Sequence, residues 1–514
     1  MLKQNDFMVM KRYLWIIWAL FCFAGCESLE DTYSDYSGDG PRRYLGACTN
    51  VTVTPGWEKL HVSWDNAVDP VVTNVKITWI SDGVSHDTLI PTTKTSCVIP
   101  RLEDKNYEIR IVTVDGKGNS SFEELKYARP YTMTHEEVIA FPRVVAKYFF
   151  AGAKGDRLVL FFNSWDESVQ EATLTYTKAD KTPGSLNLKT LIVDESKKYY
   201  TIPDVIDPEK EVQLIRKGHV ADCEELITLD PLKFTGERSF TSDIKLLLET
   251  KYKQGSHISD AFVEGLEELE IDYSISSFED ILYFPNLKKL HLGKNRFLHA
   301  GSMVSTNAVS EVFEKEKSLF SLQQALEILD GLEIIRYNEH YIDDWEASQN
   351  HIAITQGEAP VPPVRAFYSP TNWSVKSSVD DDNESDLKLM IDENENSYWQ
   401  AFNGDAARLH ELTIDMEEVK DMHGMRFHQK FISEIWDQSL INQFPDAMTV
   451  EVSEDGIVWS KAPDTGSYTL GRSEGEVTDV VFSSPVRARY VKLVYSDYPL
   501  FGSYSLYIAE VRVF

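Results

Sequence analysis

Apolar and polar residues alternate in short runs along the N-terminal part of the chain. Residues 60–64, 75–79 and 107–114 largely place an apolar side chain at every second position, which is the period of a β-strand with one buried face. Turn-forming residues separate the runs, and strands at this spacing are typical of a β-sandwich. We therefore predict a sandwich over 46–132, with Trp64 in its core.

A second β-rich region follows. Residues 157–162 and 172–176 are apolar enough for strands, and Gly and Pro punctuate the region, so we predict another sandwich-like module over 140–232. The Trp64 position and the strand at 107–114, with Gly-Asn-x-Ser after it, resemble a fibronectin type III domain. This resemblance implies an Ig- or fibronectin III-like β-sandwich, of which the second module looks like a degenerate copy.

A leucine pattern recurs in the next part of the chain. Residues 287–295 fit Leu-x-x-Leu-x-Leu-x-x-Asn at every defined position, and shorter matches occur at 266–271 and 329–334. Each unit predicts a short parallel strand whose leucines stack on those of its neighbours, with Asn295 bonded to backbone groups at the turn. The alternative is an α+β segment whose leucines follow helical spacing. We predict a leucine-rich-repeat-like α/β segment over 236–350 that serves as a spacer.

The C-terminal region contains six motifs in a recognisable order, at 373–378, 390–399, 410–415, 450–459, 488–493 and 508–511. Together they resemble an F5/8 type C (discoidin) domain, similar to family 32 carbohydrate-binding modules, over nearly all of 364–514. The resemblance implies a jelly-roll β-sandwich. The fold class expected for the whole chain is therefore mostly β and multidomain.

One of these motifs also indicates a cation site. Asp392, Asn394 and Ser397 place oxygen atoms at close spacing in a tight turn, and hard oxygen ligands suit Ca²⁺. The resemblance adds Glu510 as a ligand from the last strand and implies that the ion is structural. Glu393 stands where the family has Gly, so a positive φ there would be unfavourable. The alternative is a solvated acidic turn held by hydrogen bonds.

Sugar recognition requires an aromatic ring that stacks on the C–H face of the sugar and polar groups that bind its hydroxyls. The resemblance places such a site on loops at one end of the sandwich. The candidate residues in those loops are Gln400, Phe402, His428, Gln429, Lys430, Trp436, Asn442, Tyr498 and Phe501.

Two of these aromatic residues are the candidates for stacking. Trp436 and Phe501 lie in polar or Gly-containing loops, where an apolar ring lacks an obvious core role. The alternative is that both rings pack the base of the loops. Trp399 and Trp459, by contrast, are assigned to the core.

The N-terminus has the pattern of a secretory signal. Lys11 and Arg12 precede an apolar run that is shorter than the roughly 20 residues of a membrane-spanning helix. The run ends in Phe-Ala-Gly before Cys26, which resembles a bacterial lipobox and implies a signal peptide at 1–25, lipid on Cys26 and a flexible tether at 26–45. The alternative is an ordinary signal peptide with an incidental cysteine.

The net charge, the cysteine count and the lengths of the predicted domains limit the partners and activities to be expected. The net charge is −31, from 82 acidic and 51 basic side chains, and such a surface repels phosphate backbones, so we expect no nucleic acid partner. Three cysteines follow Cys26, so at least one thiol is free, and a Cys48–Cys97 disulfide is left open. No stretch outside the sandwiches is long enough for the barrel of about 250 residues common in glycosidases, so no enzymatic activity is expected.

Two functions are compatible with this architecture. In the first, the protein is a lipid-anchored protein of the outer membrane of a Gram-negative bacterium. It binds glycan at the cell surface and works with a TonB-dependent transporter and glycoside hydrolases in a glycan-utilisation system. In the second, it is an adhesin or scaffold whose discoidin domain binds protein or host matrix. Fold alone does not decide between them.

Overall fold

The computed structural model describes residues 44–299, 309–379, 384–432, 435–464 and 466–514, without the side chains at 384–385 and 435–438. The predicted signal peptide and Cys26 lie outside the described residues. Contacts divide the chain into two compact units: one runs through Pro142 and adds 166–172 and 215–231, and the other consists of 143–165, 173–214 and 232–514. No helix within the described ranges is both long and apolar enough to span a membrane.

The first unit is built around a sandwich of two antiparallel sheets. Its strands are β1 (Thr49–Gly56), β2 (Lys59–Asp65), β3 (Val72–Ser81), β4 (Val84–Pro91), β5 (Ser96–Pro100), β6 (Tyr107–Asp115) and β7 (Glu124–Ala128), and helix α1 (Glu136–Ile139) follows. The sheets have the strand orders β1-β2-β5 and β4-β3-β6-β7. The apolar side chains at the alternating positions point into the sandwich. Trp64, Ile77 and Ile109 are buried in one core, as predicted for Trp64.

The strand register keeps the cysteines of this sandwich apart. Val62 of β2 pairs with Val53 of β1 on one side and with Cys97 of β5 on the other, so Cys97 lies two strands away and five residues along from Cys48. With strands about 4.8 Å apart and a rise of about 3.3 Å per residue, that separation exceeds the Cα distance of about 7 Å that a disulfide tolerates. Both thiols are free, and burial raises the pKa of Cys48 to about 11.

The next stretch is also rich in strands. It contains β8 (Val145–Ala151), β9 (Arg157–Phe162), β10 (Val169–Thr177), β11 (Pro183–Asn187), a π-helical turn (Thr190–Asp194), β12 (Tyr199–Thr201), β13 (Val212–Gly218), β14 (Ile227–Thr228) and β15 (Leu232–Phe234). In the second unit, β8, β9 and β12 form an antiparallel sheet in the order β12-β9-β8. Residues of β10 and β13 belong to both units.

The leucine pattern forms parallel strands, as predicted. These are β16 (Glu268–Ile271), β17 (Lys289–Leu292) and β18 (Glu333–Arg336), and a fourth strand that the pattern did not predict, β19 (Ile354–Gln356), extends the sheet. Their register aligns Leu269, Leu290, Ile334 and Ile354 in one row, so the first three stack in the core. The flanking helices are α2 (Ser242–Thr250), α3 (Asp260–Gly265), a 3-10 helix (Glu279–Tyr283), α4 (Lys315–Ile328) and α5 (Asp344–Gln349).

The role predicted for Asn295 is wrong. Its side-chain amide donates to the carboxylates of Glu270 (3.1 Å) and Asp272 (3.0 Å) rather than to backbone groups. The two acidic residues lie on the polar side of the first strand of the sheet, where lysines also neutralise them. The asparagine therefore joins neighbouring repeats through side chains.

The C-terminal region is a β-sandwich, as expected. Its elements are β20 (Ser374–Ser377), α6 (Glu384–Leu387), a 3-10 helix (Lys388–Ile391), β21 (Trp399–Gln400), β22 (Leu409–His428), a 3-10 helix (Ile435–Gln443), β23 (Ala447–Ser453), β24 (Ser460–Lys461), β25 (Ser467–Thr469), β26 (Val477–Ser496), β27 (Tyr498–Leu500), β28 (Ser503–Ser505), β29 (Tyr507–Ile508) and β30 (Glu510–Val513). The long strands β22 and β26 pair along most of their length, with register shifts between Asp415 and Lys420 and between Met422 and Gly424, and such irregularities bend strands.

A buried ion pair joins this sandwich to the parallel-strand segment within the second unit. Arg296 donates from Nε and Nη2 to the two carboxylate oxygens of Glu476, the latter bond measuring 2.9 Å, and both side chains are nearly inaccessible to solvent. A backbone bridge from Phe297 to Val477 lies beside the pair. Because each charge has a bidentate partner, the pair fixes the junction with defined geometry.

Candidate functional site

A hairpin at one end of the C-terminal sandwich presents an exposed ring. Strands β27 and β28 pair from Tyr498↔Ser505 to Leu500↔Ser503, and Phe501 lies at the turn with 92% of its surface exposed. Its φ of +49° is in the left-handed region, which is uncommon for a residue other than Gly. The Phe501 ring is therefore exposed rather than packed at the base of the loop, and its stacking on sugar stays a prediction.

A second loop lies against this hairpin and carries another ring. Gly404 and Tyr504 exchange two backbone hydrogen bonds of 2.9 Å each, which join loop 400–404 to the hairpin. Phe402, two residues before the bridge, is 67% exposed. We call these two loops, 400–404 and 498–505, the aromatic end of the domain.

Residues 441–446 contact the hairpin through Tyr498 and Arg472. The Tyr498 hydroxyl donates to Asp446 Oδ1 (2.6 Å), and the Arg472 guanidinium lies 4.9 Å from the ring centroid. Arg472 also donates to the carbonyls of Ile441 and Asn442. Tyr498 was expected to contact sugar, but its ring and hydroxyl are already engaged within the protein, and burial raises its pKa to about 12.

Two further predicted sugar contacts are wrong because the residues are buried. Strand β22 extends to His428, which pairs with Glu510 of β30, and burial lowers the pKa of His428 to about 4. The Gln429 amide donates to the carbonyls of Pro445 and Gly471, both at 2.7 Å. Neither side chain reaches the surface of the domain.

Of the remaining candidates, two are exposed, Lys430 is half-buried, and the side chain of Trp436 is not described. Gln400 and Asn442 are exposed, and Gln400 pairs with Tyr507 at the start of the 400–404 loop. The Lys430 ammonium lies over the rings of Tyr398 and Tyr507, at 4.0 and 4.7 Å from their centroids. The side chain of Trp436 lies outside the described residues.

The two tryptophans assigned to the core differ. Trp399 is fully buried, as predicted. Trp459 is only half-buried, and the Lys492 ammonium covers its ring at 4.4 Å from the centroid. The prediction for Trp459 is therefore wrong, because a cation–π contact at the sheet surface replaces burial.

Three candidate cation residues contact one another in the turn, and the fourth, Glu510, is bonded to the turn's backbone. The Ser397 hydroxyl lies 2.8 Å from each Asp392 carboxylate oxygen and 2.8 Å from the Asn394 carbonyl. Glu510 Oε1 accepts a hydrogen bond of 3.3 Å from the Glu393 amide, whereas its buried Oε2 has no hydrogen-bond partner among the described residues. Burial, with the Asp392 charge nearby, raises the pKa of Glu510 to about 8.

An unpartnered buried carboxylate is unfavourable unless it takes up a proton, as the raised pKa favours, or a cation compensates it. Within the described residues there is no group of three or more His, Cys, Asp or Glu side chains suited to a metal. An ion here would instead use Asp392 and Glu510 together with amide, hydroxyl and backbone oxygens, a donor set that suits Ca²⁺. Glu393 has a φ of +62°, a conformation that favours Gly.

Sequence reasoning missed two residues beneath the aromatic end. Arg408 donates to the Phe402 carbonyl and to Asp497, and the buried Asp497 carboxylate also lies 2.7 Å from His410 Nε2. The sequence signal for this cluster is weak, since Arg408 and Asp497 are 89 positions apart. Only the pairing of β22 with β26 brings them together.

One catalytic motif also escaped the sequence analysis. Residues 471–475 read Gly-Arg-Ser-Glu-Gly, which matches the nucleophile-elbow pattern of α/β-hydrolases. That elbow needs a strand-to-helix turn and an exposed serine, but Ser473 is buried in a loop that leads into strand β26. Its amide donates to Glu476 at 2.9 Å, so the run is part of the buried junction.

Two protein-family models match parts of the chain. Residues 26–214 match a domain of unknown function, DUF4998, and residues 374–508 match the F5/8 type C domain. No curated protein matches the chain.

Three solved structures illustrate the similarity. A C-terminal domain of a chitobiase from Bacteroides fragilis is 19% identical, with a TM-score of 0.23, and the match covers 29% of this chain and 97% of that one. A putative chitobiase fragment from Bacteroides thetaiotaomicron is 18% identical, with a TM-score of 0.24 and coverages of 29% and 93%. A two-domain fibronectin type III segment of chicken tenascin is 16% identical, with a TM-score of 0.19 and coverages of 37% and 99%. Independently of these likenesses, the described residues are mostly β, and residues 374–508 match the F5/8 type C domain, a module class that binds carbohydrate or protein.

Proposed function

We propose that this protein binds neutral glycans through the aromatic end of its C-terminal domain. The observation that carries the proposal is the pair of exposed rings, Phe402 and Phe501, on two loops that are hydrogen bonded to each other. An exposed phenyl ring offers the flat apolar face that a sugar C–H face requires. Gln400 and Asn403 are exposed on the same loop and supply amide groups for hydroxyls.

The role is binding rather than catalysis. The F5/8 type C domain is a binding-type module, and Ser473, in the hydrolase-like motif, is buried. The acidic net charge of −31 favours neutral over anionic glycans.

We also propose that the protein is held on the surface of the outer membrane by lipid on Cys26. The support is the lipobox-like sequence before Cys26 and the acidic residues that follow it. In that position the protein would capture glycan for a TonB-dependent transporter and for glycoside hydrolases. Metabolic labelling with an alkyne fatty acid tests the anchor, since labelling of the wild type and its loss in Cys26→Ser are the expected results. An unlabelled wild type would refute it.

A structural Ca²⁺ ion completes the proposal. Asp392, Asn394, Ser397 and Glu510 would hold it, and the unpartnered Glu510 oxygen is the main support. The ion would neutralise the buried carboxylate and stiffen the turn that leads into β21 and the 400–404 loop.

A glycan array tests the binding function. The full chain is screened with and without Ca²⁺, beside a Phe402→Ala/Phe501→Ala double variant. Phe313→Ala is the matched control, because Phe313 is 71% exposed on the parallel-strand segment. Glycan signal that only the double variant loses is expected. A folded chain without any glycan signal would overturn the proposal and favour an adhesin or scaffold that binds protein.

A further inference from the structure

Arg408 contacts both loops of the aromatic end from below. We propose that Arg408 is a positioning residue that fixes the Phe402 loop against the Phe501 hairpin, an inference that rests on the proposed function of this surface. Two sets of contacts are made by Arg408 itself, and a third anchors its partner Asp497 in the core.

The first set ties Arg408 to the start of the hairpin. Its Nε donates to Asp497 Oδ2 at 2.8 Å, and its backbone amide donates to the same oxygen at 3.2 Å. In return, the Asp497 amide donates to the Arg408 carbonyl at 3.0 Å. Because Asp497 immediately precedes β27, these bonds fix where the hairpin leaves the sandwich.

The second set ties Arg408 to the other loop. A terminal guanidinium nitrogen donates to the Phe402 carbonyl. The backbone of Gly404 also lies close to the guanidinium, since a Cβ at this position would lie 3.2 Å from Nε. One planar, five-donor group therefore holds the ring-bearing residue, while the glycine lets the loop approach closely.

The third set anchors the clamp in the core. Asp497 and His410 are fully buried and lie 2.7 Å apart between Oδ1 and Nε2, and the His410 ring packs edge-on against Trp399. Burial alone would raise the pKa of Asp497, but the hydrogen bonds from His410 and Arg408 lower it. The carboxylate thus stays ionised and keeps its hold on Arg408.

This arrangement determines how the rings are presented. The loops at the aromatic end have little apolar packing of their own around Phe402 and Phe501, since both rings project into solvent. A loop that must be ordered on binding lowers affinity, whereas a loop held in place beforehand does not. Arg408 itself does not contact the sugar, and it affects binding only by holding the Phe402 loop in position.

The test compares three arginine variants of the full chain. R408M removes the donors and keeps most of the apolar stem, R408K keeps the charge and one donor group, and R487M is the control because Arg487 is exposed and lies 3.9 Å from its nearest acid. Hydrogen exchange is followed by mass spectrometry in peptides that cover 400–405 and 501–506. Binding is measured on a printed array of neutral oligosaccharides, beside the Phe402→Ala/Phe501→Ala variant.

We expect faster exchange in both peptides for R408M and about a tenfold loss of apparent affinity. R408K should be intermediate and R487M unchanged, and R408K carries the test if R408M does not fold. Wild-type exchange in R408M would overturn the inference. Retained binding by R408M, with loss in the ring variant, would overturn it while the proposed function stands. Absence of binding by the wild type would refute the proposed function, and the positioning role with it.

Discussion

Two regions of the second unit bury carboxylates in opposite ways. Glu476 lies at the junction with both oxygens bonded to Arg296, and one of them also accepts from the Ser473 amide. Glu510 is as deeply buried, yet one of its oxygens has no hydrogen-bond partner among the described residues. A buried acid with every bond satisfied is a structural element, whereas a buried acid with a missing partner requires a proton or a cation to compensate it.

The largest effect is expected at the Arg296–Glu476 ion pair, in which both carboxylate oxygens are hydrogen bonded. Glu476→Gln leaves Arg296 buried without its counter-charge, which should lower the free energy of unfolding by about 3–5 kcal/mol. The midpoint of chemical unfolding measures this. Glu316→Gln is the control, because the Lys198–Glu316 pair is exposed and should matter little. Equal midpoints for the two variants would remove the contrast between the junction and an ordinary surface pair.

The second effect concerns the unsatisfied carboxylate. Ca²⁺ at a hundred times its Kd should stabilise the wild type by about 2.7 kcal/mol, and Glu510→Gln should lose most of that gain. Thermal unfolding with and without Ca²⁺ measures it, with Glu454→Gln as the control at an exposed acid of the same domain. If the wild type gains nothing from Ca²⁺, the calcium proposal fails and the orphan oxygen needs another explanation.

The third effect is a pH dependence at the junction. His340 is fully buried near Arg296 and Arg336, and burial lowers its pKa to about 3. Between that value and the ordinary pKa near 6.5 the unfolded chain binds the proton and the folded chain does not, so stability is complete above about pH 6.5 and decreases as the pH falls. At pH 5 the loss should be about 2 kcal/mol.

Unfolding measured between pH 7 and pH 5 tests this dependence on His340. His340→Gln should remove the His340 share of the dependence, because the variant side chain does not titrate, and leave the share of the buried His428, whose pKa is also lowered. Its control is His423→Gln, since His423 is exposed in the same unit. An unchanged slope in His340→Gln would assign the acid sensitivity to other groups.

The smallest effect concerns backbone strain beside Glu510. Glu393→Gly should relieve the positive φ of +62° and stabilise the domain by about 0.5–1 kcal/mol. The contact between Glu393 and Arg512, at 3.8 Å, is too exposed to offset this gain. Lower stability for the glycine variant, seen in the same unfolding experiment, would mean that the glutamate side chain has a binding role.

Much of the fold could be predicted from local patterns. The period-2 runs around Trp64 and the leucine pattern around Leu290 are strands in the structure, and their apolar side chains lie in the core as predicted. Such patterns record which face of an element is buried, and that is a property of neighbouring residues in the sequence. Phe501 could also be identified from local sequence, because an apolar ring beside a turn glycine has no obvious place in the core.

The site was less accessible to sequence reasoning. Gln429 was placed in a binding loop, but its amide is bonded to the carbonyls of Pro445 and Gly471, 16 and 42 positions away. Arg408 was not noticed because its partner Asp497 is 89 positions distant. The burial of polar side chains at the bases of loops depends on tertiary contacts between residues far apart in the sequence. Such contacts produce no hydrophobic periodicity, so this burial could not be predicted from the sequence alone.

Glycan binding by the aromatic end is tested most directly by a calorimetric titration with the glycan that gives the strongest array signal. The wild type, Phe402→Ala/Phe501→Ala and Phe313→Ala are compared after their unfolding midpoints have been shown to agree. Loss of both rings should weaken binding by at least about tenfold, equivalent to about 1.4 kcal/mol, and Phe313→Ala should bind as the wild type does. Unchanged affinity in the double variant would contradict the account and place the glycan site elsewhere on the protein.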